Sequence, residues 1–181
     1  MTASRIELTE SDLFSSGNWN SAQVSVLGFH LGMSWPAALA KAREQKLLLW
    51  KAMNMPADDL DCAGSGLCSV FNAEGDDIGM TMTFGERREV VELSIELVPE
   101  GVPLYDKKTQ VSLRFKGNTL KLFHQYSNEL RSKLLGPEAS KKEHLEDKST
   151  TYNYPSLGVF LDSYDWGELQ GLRFHLPTEK R

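Results

Sequence analysis

Four histidines, two cysteines and a short acidic cluster are the residues of this 181-residue chain best suited to hold a metal or move a proton. His30, His124, His144 and His175 are scattered. No pair has the H-x3-H or H-E-x-x-H spacing that sets two imidazoles on one helix face for zinc. Asp58, Asp59 and Asp61 lack the ligand pattern of a calcium loop and read as cap and loop residues. Gly64-Ser65-Gly66 lacks the lysine of a phosphate-cradling loop and reads as a flexible connector. There is no G-x-S-x-G nucleophile elbow. The C-x5-C spacing of Cys62 and Cys68 matches neither the usual zinc pairs nor a redox C-x-x-C. Two reduced thiols, close in space, are the expectation for a cytosolic chain, although the glycine-rich link between them would also let a disulfide close. These patterns assign no catalytic residue, no metal ligand and no cofactor, and they lean away from an enzyme.

Residues suited to a protein interface are easier to find. Tyr152, Tyr154, Tyr164, Trp166 and Trp19 fall near turns or in the N-terminal arm. Tyrosine and tryptophan offer large rigid area with a polar handle, which favours interfaces. Glu92 and Glu96 alternate with Val91, Leu93, Ile95 and Leu97, so one side of that strand is acidic and the other apolar. Trp166, Tyr164, Asp165, Tyr154, Glu92 and Glu96 are the candidate partner-binding residues, with Trp166 as anchor. The acidic strand face suits a protein partner with a basic surface.

The elements that would carry these residues follow one grammar, written twice. Residues 24–31 read as a strand, Gly32-Met33-Ser34 as a corner and 36–49 as a helix. Residues 111–116, Gly117-Asn118-Thr119 and 121–135 repeat the order. Gly32 and Gly117 can take positive φ, and Ser34 and Thr119 read as N-caps whose hydroxyls accept from the first helical turn. Pro36 suits that turn because its missing N–H has no partner to lose there. After each helix come three alternating segments, near 68–72, 78–84 and 91–97 in the first copy and 151–154, 157–161 and 172–176 in the second. Residues 47–50 read as a prolongation of the first helix. Residues 141–148, a run of charge, read as a solvated loop or short exposed helix. The expected fold is α+β: two tandem β-α-β-β-β repeats whose helices pack on antiparallel sheet. The division is an N-terminal arm over 1–22, a first repeat over 23–103 and a second over 104–181, in one compact domain with a shared core.

With Lys plus Arg at 20 and Asp plus Glu at 25, the net charge of −5 disfavours nucleic acid and anionic membrane as partners. No apolar run approaches the roughly 20 residues needed to span a bilayer. The first thirty residues hold Glu7, Glu10 and Asp12 and no apolar stretch of a secretion signal, so a cytoplasmic location is expected.

The Leu31-Gly32-Met33-Ser34 corner, the helix after it, the cysteine-flanked loop and the meander resemble the repeat of the beta-lactamase inhibitor proteins. They are also similar to the small outer-membrane assembly lipoproteins that share that repeat. Cys62 and Cys68 fall where the inhibitor family has its repeat cysteines. The second copy departs from the pattern, because Gly117-Asn118-Thr119 lacks the methionine and no second cysteine pair follows. The resemblance implies a tandem-repeat scaffold and a non-enzymatic, protein-binding or inhibitor-type role, for which an intracellular immunity protein neutralising a toxin is one concrete form. Without a secretion signal, an extracellular beta-lactamase is not carried over as the target. The alternative is an enzyme or small-ligand-binding protein with a pocket between the repeats.

Overall fold

The computed structural model describes residues 6–7, 20–51, 55–56, 62–75, 77–96, 114–115, 118–119, 140–146, 148–164 and 169–177. Within them the chain is mostly β. Strand β1 (Ile6–Glu7) runs parallel to β2 (Val24–Val26), which turns back into β3 (Phe29–His30). Residues 24–31 are therefore a hairpin rather than one strand. Leu27 and Gly28 both take positive φ, +53° and +78°, the pairing of a two-residue turn that matches strand twist. Helix α1 (Trp35–Gln45) follows. Next come β4 (Leu48–Lys51), β5 (Met55–Pro56), a 3-10 turn (Cys62–Ser65), β6 (Leu67–Phe71), β7 (Asp77–Phe84) and β8 (Val90–Glu96). The second half gives β9 (Arg114–Phe115), β10 (Asn118–Thr119), β11 (Ser140–His144), β12 (Ser149–Tyr154), β13 (Val159–Tyr164) and β14 (Leu169–His175).

One antiparallel sheet of nine strands, in the order β11-β12-β13-β14-β8-β7-β6-β4-β5, dominates the molecule. The α+β expectation, with helices of both halves packed on sheet, is overturned by this count: α1 is the one α-helix among the described residues. Two misread segments account for much of the difference. Residues 48–51 do not prolong α1. Lys46 turns left-handed at φ +57° and ends the helix, and Leu49 enters the core from β4, paired with β6. Residues 140–144 are neither loop nor helix but the edge strand β11, whose charged side chains are ordinary for an edge that must not recruit another chain. In the second corner, Asn118 and Thr119 pair with Phe115 and Arg114 as strand; the first turn that Thr119 is expected to cap lies outside the described residues. The helix expected over 121–135 lies outside the described residues.

The first corner is built differently from the expectation in one respect. Gly32 has φ +75° as its position requires, and Ser34 occupies the N-cap with extended backbone. Its hydroxyl, however, makes no capping hydrogen bond. Backbone bonds to the β7–β8 turn do the work instead. Gly32 N donates to Val90 O, Val90 N to Met33 O and Trp35 N to Arg88 O, all within 2.8–2.9 Å. The orphan donors of a helix start need a partner, and here a neighbouring turn supplies one.

The strands of β6–β8 and β12–β14 form as their alternation dictates. Met80, Met82, Leu93, Ile95, Leu161 and Phe174 point to one side and are fully buried. Trp35, Ala38 and Ala42 of α1, and Val24, Val26 and Phe29 of the hairpin, belong to the same buried cluster. Trp35 meets Phe84 edge-on, with ring centroids 5.5 Å apart, which docks the helix on the sheet. Cys62 and Cys68 are bonded as a disulfide, with Cα atoms 5.4 Å apart and both residues buried. The reduced thiols expected for a cytosolic chain are thus not the state seen, although their closeness in space is.

The junction of the halves fixes the shape of the sheet. β8 closes one four-strand meander and β14 the other, and the two strands pair antiparallel with Ser94 opposite Arg173. Leu93 faces Phe174 and Ile95 faces Leu172 around that centre. From it the strands run outward in matching order, β14-β13-β12-β11 on one side and β8-β7-β6-β4 on the other.

Candidate functional site: the outer face of the sheet

Alternation that sends Leu93, Ile95, Leu172 and Phe174 into the core sends Glu92, Ser94, Arg173 and His175 to the opposite face. Cross-strand register then decides which of these side chains meet. Thr151 lies opposite Asp162, Phe160 opposite Arg173, Arg173 opposite Ser94 and His175 opposite Glu92. Asp162 lies opposite Gly171, two positions from Arg173 on β14, so the two side chains are diagonal neighbours on one face.

The contacts form a directed chain. Arg173 donates Nε–H to Asp162 Oδ2 at 2.8 Å and Nη2–H to Oδ1 at 3.0 Å, a two-point clamp. Thr151 donates its hydroxyl to Asp162 Oδ1 at 2.6 Å. A hydroxyl has one proton to give, so the 3.0 Å bond between His144 and Thr151 must run from His144 Nε2–H to the Thr151 oxygen. The Arg173 guanidinium also lies 4.9 Å from the centre of the Phe160 ring, and the His175 ring lies 4.5 Å from it. Asp162 holds the Arg173 pKa above its ordinary value, chiefly through the hydrogen bonds, with a further contribution from the charge of Glu92. The Arg173 and Asp162 side chains keep 33% and 20% of their exposure, so the pair is at the surface but fixed.

Two buried polar atoms here have no hydrogen-bond partner among the described residues. His175 Nδ1 lies 3.0 Å from Leu176 O, and a carbonyl can only accept, so Nδ1–H donates there and Nε2 is the ring nitrogen left over. That Nε2 atom is buried without a hydrogen-bond partner, as is Asn153 Oδ1. Asn153 is the cross-strand neighbour of Phe160 on its far side. Across β8, the face continues as Ser94, Thr81, Ser69 and Trp50, which are directly paired in that order. Trp50 stacks on Phe71 at 4.6 Å.

The candidates read from sequence separate on this frame. Glu92 stands on the outer face, half-buried and opposite His175. Glu96 is opposite Gly171 at the end of β8, and Tyr164 ends β13 opposite Ser149; their side chains lie outside the described set. Asp165 and Trp166 lie outside the described residues altogether, as does Trp19. Tyr154 is only 2% exposed and Tyr152 is buried beside it, so both rings fill the core instead of offering surface. The cluster of Asp162, Arg173, Phe160 and His175 was missed. The alternation of Leu172 and Phe174 did send Arg173 and His175 outward, but the partners that face them depend on register between strands. Among the described residues no group of three or more His, Cys, Asp and Glu is placed to hold a metal ion, and no helix is long and apolar enough to cross a membrane. Compared with protein-family models, curated proteins and solved structures, the chain matches none.

Proposed function

We propose that this chain is a non-enzymatic protein-binding or inhibitor-type protein that presents the outer face of its long sheet to a partner with a basic surface. The observation that carries the reading is the fixed patch at the centre of that face, where Asp162 clamps Arg173 beside Phe160 and His175. A rigid, polar and aromatic surface built on strands suits recognition, because little side-chain freedom is lost when it is covered. The matching order of strands on either side of the Ser94–Arg173 pair supports two copies of one unit, in keeping with the resemblance to the inhibitor repeat.

Photo-crosslinking tests this. A benzophenone side chain placed at Thr81 or Ser94, on the outer face, should capture the same protein from the native cell, and one placed at Glu44 on α1 should not. The captured partner should associate more slowly as salt is raised. Capture from α1 alone, or a rate indifferent to salt, would sink the proposal.

The disulfide bears on where the protein acts. An intracellular immunity protein works where thiols are kept reduced, and an inhibitor in an oxidising compartment keeps its disulfide. The buried Cys62–Cys68 bond favours the second setting over the cytoplasmic one. Alkylation of protein taken directly from the native cell decides between them: two blocked thiols restore the cytoplasmic version, and none supports the oxidising one.

A further inference from the structure

We propose that β11 is a detachable guard strand, which keeps the edge of β12 from pairing with β12 of a second copy of this chain. β11 ends the nine-strand order, and the opposite end is the two-residue β5, whose Pro56 cannot donate to a further strand. β11 adds no apolar side chain to the core: its sequence is Ser-Lys-Lys-Glu-His, and its first four residues are exposed. Lys141 lies opposite Tyr152 and Glu143 opposite Thr150, on the core side of the sheet, yet both stay exposed and pair with each other at 2.7 Å. The ladder to β12 holds the strand, together with the bond from His144 to Thr151.

One strand further in, the balance changes. Ser149, Thr150, Tyr152 and Tyr154 of β12 are all buried. Removing β11 exchanges backbone bonds for bonds to water at a modest net cost each, whereas removing β12 would also uncover two aromatic rings. Local opening therefore stops between β11 and β12. The edge so revealed is adhesive. Ser-Thr-Thr-Tyr-Asn-Tyr has no charge, no glycine and no proline, and its threonines and tyrosines suit a strand. Antiparallel pairing with the same strand of a second copy meets no like charge: centred on Thr151, it sets threonine against threonine and Thr150 against Tyr152. The same operation on β11, centred on Lys142, sets lysine against lysine. That contrast makes the second copy the occupant and β11 the barrier.

Native-state hydrogen exchange of the full chain tests the opening. The slowest amides in 140–144 should exchange at least about a hundredfold faster than the slowest in 159–164, through an opening that does not depend on urea. Equal rates with the same urea dependence would overturn the proposal. The double variant Lys142→Pro/Glu143→Pro tests the pairing. Adjacent N–H groups point to opposite edges of a strand, so one of the two prolines removes a donor to β12 whichever way the ladder runs. This variant should form folded dimers whose 149–154 amides gain protection as protein concentration rises, and the unaltered chain should not. A variant that stays monomeric, or that dimerises with 149–154 left unprotected, would overturn the proposal. So would a variant that unfolds, because β11 would then belong to the core, and so would equal dimerisation of the unaltered chain.

Discussion

Arg173 owes its position to two parallel N–H···O bonds, a geometry that an ammonium cannot copy. Arg173→Lys should therefore cost about 1 kcal/mol in urea denaturation although the charge is kept, and Asp162→Ala about 2 kcal/mol because the guanidinium loses both bonds while still partly solvated. The sign of the pH effect follows from the raised arginine pKa. A group whose folded pKa lies above its unfolded value stabilises fully below the unfolded value, far above neutrality for an arginine, and loses that contribution only as pH climbs through the folded one. The loss in Arg173→Lys should thus be the same at pH 6 and pH 9, and a loss that vanishes at either would disprove the clamp. Gly158 is as strict at another point. Its φ is +67°, and a Cβ there would overlap His175 O and Ser21 Oγ, which are themselves hydrogen-bonded. Gly158→Ala should lower stability by roughly 2–3 kcal/mol, read as an earlier urea midpoint. Facing direction was legible at this scale, because side chains alternate along a strand whatever its partner. The clamp was not, because Asp162 and Arg173 are eleven positions apart and meet only through the register of β13 on β14. Tyr152 and Tyr154 were misplaced for a related reason: the strand is short, its ends read as turn, and an aromatic near a turn is as able to plug a core as to face water.

Among elements, α1 illustrates how a correct boundary can rest on the wrong bond. Ser34 stands at the N-cap, yet Trp35 N–H is served by Arg88 O. Ser34→Ala should then change the melting temperature hardly at all, where a capping serine would cost about 1 kcal/mol. At the other end Lys46 carries the left-handed turn that glycine adopts without strain. Lys46→Gly should gain about 0.5–1 kcal/mol by the same assay. That lysine is also why the stop was illegible: no glycine or proline marks it, and the Leu-Leu-Trp run after it suits helix and strand alike. Strands β7 and β8 were plain because strict alternation has one structural meaning, and β11 was hidden because an edge strand armoured with charge looks like a loop.

The whole molecule turns on the β8–β14 ladder. Leu93, Ile95, Leu172 and Phe174 meet there from opposite halves and are almost entirely buried. Ile95→Ala or Phe174→Ala should each cost about 2–5 kcal/mol. Far-UV and near-UV signals should still fall in one coincident transition, because neither meander keeps its inner edge covered without the other. Two separate transitions would mean that the halves are independent domains. The order of the last three strands in each half could be read from alternation, but their union into one sheet could not, since nothing local in 90–96 names 169–175 as its neighbour.

That union has a consequence for synthesis. His175, the end of β14, leaves the ribosome 79 residues after Glu96, the end of β8 (175 − 96). At translation rates of about 5–20 residues per second, β8 waits roughly 4–16 s with an unpaired hydrogen-bonding edge and an uncovered apolar side. An exposed edge of that kind invites pairing with a neighbouring nascent chain. The sequence separation also gives the fold a high contact order, which slows closure further. Production at high expression rates should therefore yield aggregates that slower translation relieves. Aggregates formed equally at all rates would show that β8 is shielded before β14 arrives.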